Sequence, residues 1–133
     1  MKSLNEYIVE KFATSASANK AKPVSDNNIL TICETIFNSF KDSIDDPTVC
    51  DDCYFDTSVD DKELDDRMNK LYDELKQILP QENVCQDNDH TWHIYCGDNK
   101  PLAEFMPYNG KIRFMIHDTY GKKFYEKTGI KVK

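Results

Sequence analysis

At Pro80 the spacing of apolar residues changes from every third or fourth position to every second, and this switch fixes the layout of the chain. Before it, Ile29, Ile32, Cys33, Ile36, Phe37, Phe40 and Ile44 predict an amphipathic helix over about 26–44, with Ser25 or Asp26 to cap it. Leu64, Met68, Leu71, Tyr72, Leu75, Ile78 and Leu79 predict a second helix over 61–79. Asp60 and Glu63 have the capping spacing there, and Pro80 ends the helix. Residues 47–59 between the two helices, rich in Asp, read as an acidic loop.

Beyond Pro80, Trp92, Ile94 and Cys96 alternate with His93 and Tyr95, which predicts a strand over 91–96. Residues 102–108 and 111–117 flank Asn109-Gly110, a hairpin signal because a type I′ turn needs positive φ at both central residues. Residues 119–128 read as a short helix and 130–132 as a last short strand. Helices followed by a run of strands predict an α+β fold, with two amphipathic helices packed on one face of a small antiparallel sheet of three to four strands. Near the start, Leu4, Tyr7, Ile8 and Phe12 mark a separate short helix over 1–12. The small polar residues of 13–25 read as a linker to a single domain over 26–133. A helix so short is not stable alone, so it must dock on something.

The composition suits one globular domain: 133 residues, 39% hydrophobic and 31% charged. No apolar run is long enough to span a membrane, and no apolar core of a secretory signal is present. The net charge of −7 is unevenly spread. Residues 42–98 hold 17 Asp and Glu against four Lys and Arg, whereas residues 99–133 hold eight basic against three acidic side chains. The acidic middle repels phosphate backbones, so direct nucleic-acid binding is disfavoured, while the opposed signs favour head-to-tail contacts with neighbouring proteins or copies.

Cys50 and Cys53, two residues apart, form the most specific local constellation for chemistry, since two thiolates at that spacing can share one zinc ion. Cys85, His90, His93 and Cys96 are the further donors available, though no second CxxC completes the pattern. In the alternative, these are free thiols of a reducing compartment. The aspartates around Cys50 and Cys53 oppose a redox role by disfavouring the thiolate. Neither an EF-hand loop nor a complete nucleophile-and-base set can be written, and four glycines provide no phosphate loop. Trp92, Tyr95, Phe105, Tyr108, Phe114, Tyr120, Phe124 and Tyr125 offer either a stacking platform over the basic third or core packing.

The opening Met1-Lys2-Ser3-Leu4-Asn5-Glu6-Tyr7-Ile8-Val9-Glu10 resembles the leaders of small head-associated proteins of large tailed phages. The resemblance implies a short amphipathic helix that carries the protein into the assembling prohead. It also implies a protease that cuts after a Glu preceded two residues earlier by Leu or Ile, a pattern that Ile8-Val9-Glu10 fits. The expectation is therefore a non-enzymatic structural protein of the virion or host-cell cytoplasm. It would dock through Leu4, Tyr7, Ile8 and Phe12, be processed at Glu10, and have other virion proteins or its own copies as partners. The alternative is a small acidic binding or regulatory module, either zinc-stabilised through Cys50 and Cys53 or inhibiting a DNA-binding protein.

Overall fold

The computed structural model of the chain describes residues 13–14, 21–44 and 54–129. In chain order the elements are β1 (Ala13–Thr14), α1 (Asp26–Phe40), β2 (Tyr54–Asp60), α2 (Leu64–Leu75), β3 (Val84–Gln86), β4 (Trp92–Tyr95), β5 (Pro101–Tyr108), β6 (Lys111–Ile116) and α3 (Asp118–Thr128). The sheet order is β1-β3-β4-β5-β6-β2, in which β3 to β2 form a five-stranded antiparallel sheet and β1 adds two parallel residues beside β3. The predicted N-terminal helix and the predicted strand over 130–132 lie outside the described residues.

The architecture is α+β, but the expected three to four strands and two packed helices are corrected, among the described residues, to five antiparallel strands and three helices. The largest difference is β2, which falls where the aspartates suggested a loop. Phe55, Thr57 and Val59 alternate inward while Asp56, Ser58 and Asp60 point out, so the acidic residues occupy only the outer positions of a half-buried strand. A threonine at the middle inward position hid the pattern. Its hydroxyl is satisfied in the core, donating to the Ile112 carbonyl at 2.7 Å and accepting from the Val59 amide at 3.3 Å. Strand β3 is only three residues long, too short for a period to show.

The two long helices follow their stripes. Ser25 Oγ accepts from the Asn28 amide at 3.4 Å to cap α1, which tightens into a 3-10 turn over Lys41–Ser43 after Phe40. Helix α2 ends at Leu75, before the expected 79, and beyond it the chain tightens into a turn in which the Ile78 amide donates to the Leu75 carbonyl three residues back, a carbonyl it shares with the Leu79 amide. Leu79 is nevertheless buried at 1% exposure. The hairpin turn is as predicted, with φ of 51° at Asn109 and 80° at Gly110.

The helices cover one face of the sheet. Register places Phe55, Phe114, Phe105 and Trp92 side by side across β2, β6, β5 and β4. Phe40 of α1 stacks on this row, 5.0 Å from the Phe114 ring and 6.0 Å from Phe105. Toward the β2 edge, Tyr125 of α3 meets Phe55 edge-on, and Phe124 meets Phe37 of α1. Toward the other edge, the buried indole of Trp92 donates from Nε1 to Asp65 of α2 at 2.9 Å. Helix α1 therefore lies between α2 and α3. Each fully buried side chain of this layer contributes on the order of 1.5–3 kcal/mol of transfer free energy.

The segment before α1 is tied to the opposite edge. Asn83, fully buried, accepts from the Lys22 amide and donates to the Lys22 and Tyr95 carbonyls, while the Val24 amide donates to the Cys96 carbonyl. Part of the segment read as a linker is thus fastened to the sheet.

Candidate protein-docking surface

Because strand side chains alternate, the row of rings facing the helices implies a second set facing away. On β6 these are Arg113 and Met115, on β5 Glu104, Met106 and Tyr108, on β2 Tyr54 and Asp56, and on β4 His93 and Tyr95. None of the described helices packs on this side. Most of these side chains are half-buried against one another, and Tyr108, at 44% exposure, is the one large exposed hydrophobic residue among the described residues.

Arg113 is the centre of the β2 end. Its Nε donates to Asp56 Oδ1 at 2.6 Å and its terminal nitrogen to Oδ2 at 3.2 Å, a bidentate pair. The hydrogen bond that Arg113 donates to Asp56 holds the guanidinium pKa above its ordinary value, with the Asp56 charge adding to the effect. The same guanidinium lies 3.6 Å from the Tyr108 ring centroid and 5.4 Å from that of Tyr54, so two rings and a carboxylate fix it in place. The Tyr54 hydroxyl donates to Glu104 Oε1 at 2.7 Å. Glu104 Oε2 is 3.8 Å from His93 Nδ1, and His93 Nε2 is 2.5 Å from Asp87 Oδ2. Burial, first, and the neighbouring acidic groups raise the Tyr95 pKa, keeping its hydroxyl neutral. The result is a continuous polar and aromatic strip across four strands, its charges already paired with one another.

The residues predicted as functional fall into three groups. Leu4, Tyr7, Ile8 and Phe12, the processing residue Glu10, and the metal candidates Cys50 and Cys53 all lie outside the described residues. The further zinc donors do not converge. Cys85 and His93 are register partners on β3 and β4, whereas Cys96 belongs to the core cluster on the helix side. His90 sits in the turn before β4 at φ 68°. No group of three or more His, Cys, Asp or Glu among the described residues could hold a metal ion. Burial pushes the Cys33 and Cys85 thiols up to about 12, as expected of structural cysteines. The eight aromatics are divided by the sheet. Trp92, Phe105, Phe114, Phe124 and Tyr125 are core, Tyr120 packs partly buried on α3, and Tyr95 and Tyr108 lie on the open face.

Sequence reasoning did not single out Tyr54, Asp56, Glu104, Met106, Arg113 or Met115. The available signal was the outward half of the hairpin alternation, which carries Arg, Met and Tyr where a solvated face carries Lys, Glu and Thr. No family model, curated protein or solved structure matches the sequence. No helix among the described residues is long and apolar enough to cross a membrane.

Proposed function

We infer that this chain is a non-enzymatic structural protein that works by docking on other proteins, of the head-associated phage kind that residues 1–10 resemble. The observation that carries the docking role is the open sheet face. Tyr, Arg and Met are the side chains enriched where proteins bind one another, and here Tyr108, Tyr54, Arg113, Met106 and Met115 are gathered on one side of the sheet. Pre-pairing suits such a surface, because a guanidinium held by Asp56 and two rings loses little freedom when a partner covers it. A sheet face on which none of the described helices packs also fits a macromolecule better than a small ligand, which takes a concave site. Asp56, Asp87 and Glu104 on or beside the face favour a protein partner over a nucleic acid.

The N-terminal segment supplies the second docking element in this reading, with Leu4, Tyr7, Ile8 and Phe12 as its apolar side and Glu10 as the processing position. Two chains, one lacking residues 1–12 and one carrying Tyr108→Ala with Arg113→Glu, test both elements in assembling particles. Each is expected to remain folded by circular dichroism and to be depleted from purified particles, as counted by quantitative mass spectrometry. Undiminished incorporation of both would overturn the reading.

A further inference from the structure

Cys85 is fully buried, at 0% exposure, on the side of the sheet that none of the described helices covers. It pairs with His93 and so shares the outer face, while its neighbour Val84 pairs with Ile94 and belongs to the core under the helices. Exposure rises across that face. The His93, Glu104 and Arg113 side chains, on β4, β5 and β6, are 17%, 19% and 23% exposed, and that of Asp56, on β2, is 55% exposed. The two residues of β1 beside β3, Ala13 and Thr14, are too small to enclose Cys85. A gradient with its buried end there calls for a cover over β3 to β5.

The chain itself supplies a fitting one. Ala13 pairs with Cys85, so the segment 1–12 begins one residue from the most buried point of the face. As a helix, twelve residues are about 18 Å long and about 10 Å across, enough for two or three strands spaced at about 4.8 Å. Such a helix falls short of β2, five strands from β1, which accords with the exposure of Asp56. The charges at the covered end are two carboxylates, Asp87 and Glu104, on either side of His93, whereas Arg113 is held with Asp56 toward the other end. A matching helix needs an apolar stripe that carries a cation. At about 100° per residue, Leu4, Tyr7, Ile8 and Phe12 form the stripe, Lys11 lies inside it, and Lys2, Glu6 and Glu10 fall on the opposite side. We propose that residues 1–12 fold back as an amphipathic helix on the β3–β5 part of this chain's own outer sheet face, with the apolar stripe over Cys85 and Tyr95 and Lys11 toward Asp87 and Glu104.

Attachment favours the contact within one chain. A segment joined directly to β1 meets its own sheet at an effective concentration on the order of millimolar, ahead of a second copy in dilute solution. The inference rests on the docking roles given above to the sheet face and to residues 1–12, and it adds their regulation. In the isolated chain the two docking elements cover one another. Either a partner that draws the segment away or a cut after Glu10 then uncovers the β3–β5 part of the face.

Labelling of the native full-length chain with a water-soluble maleimide, read at each cysteine by peptide mass spectrometry, tests it. In the wild-type chain Cys33 and Cys85 are both expected to stay protected. Leu4→Glu with Ile8→Glu is expected to speed labelling of Cys85 by at least about tenfold, while Cys33, under the helices, stays protected and reports a folded domain. Lys11→Glu sets like charge against Asp87 and Glu104 and is expected to act in the same direction. In a dilute mixture of isotope-labelled and unlabelled wild-type chains, carbodiimide coupling of Lys11 to Asp87 or Glu104 is expected within single chains. Cys85 as protected in the Leu4→Glu, Ile8→Glu chain as in the wild type would overturn the proposal. So would Cys33 gaining as much as Cys85, or coupling found only between chains. Should that happen while loss of residues 1–12 still depletes the protein from particles, the docking function stands and the mutual covering is excluded.

Discussion

Phe114→Ala tests the arrangement that leaves one face of the sheet open. Phe114 is fully buried, stacked between Phe40 at 5.0 Å and Phe55 at 5.1 Å, with Phe105 at 6.1 Å. Truncation removes six carbons from a site walled by three rings on three other elements, so the neighbours cannot collapse far into the space. The cost should be about 4 kcal/mol, a large share of the roughly 5–15 kcal/mol that holds a domain together. With a urea slope of about 1.5 kcal/mol/M, the unfolding midpoint should fall by about 2.7 M at unchanged slope. Met115, the next residue, is half-buried on the opposite face, and Met115→Ala should cost only about 1 kcal/mol. A one-residue slip of β6 would exchange the two residues between faces. Equal costs, or a larger one at Met115, would therefore refute both the core assignment and the open face built on it.

Three further outcomes follow from single contacts. Asn83→Ala strands the Lys22 amide and carbonyl and the Tyr95 carbonyl, and should cost about 2 kcal/mol and speed proteolysis around residues 15–25. Gly110→Ala puts a Cβ at φ 80° with no neighbour within 4 Å, so it should lower the unfolding free energy by about 1 kcal/mol through backbone strain alone. Cys33 and Cys85, raised by burial from 9.0 to about 12, keep their protons in the folded state while the unfolded thiols lose theirs. The unfolded state then binds fewer protons, so stability should fall as pH rises above about 9 and level off only near 12. Thiol reagents should reach both cysteines only after unfolding, and a stability that rose over that range would contradict the assignment.

What the sequence revealed follows from how many residues each signal spans. Helices α1 and α2 were legible because each repeats its apolar stripe over several turns, and the β5–β6 hairpin because Asn109-Gly110 admits one kind of turn. Strand β2 was not legible, since aspartates held its outward positions and Thr57 an inward one, although that hydroxyl is satisfied by the Ile112 carbonyl once the strands pair. The open face was hidden for a different reason. Asp56 and Arg113 are 57 residues apart and Tyr54 and Glu104 are 50 apart, so nothing local marks them as partners. The aromatics illustrate the same limit. Alternation told that Tyr108 and Phe114 belonged to strands, but only the register across β2, β6, β5 and β4 assigns Phe114 to the core and Tyr108 to the surface.

The central claim is that this chain is a docking component of an assembled particle, and native mass spectrometry of the protein from its natural source tests it most directly. The account predicts a metal-free chain bound to head proteins, beginning at Lys11 once processing after Glu10 has occurred. A full-length, monomeric chain carrying one zinc ion and no protein partner would contradict it.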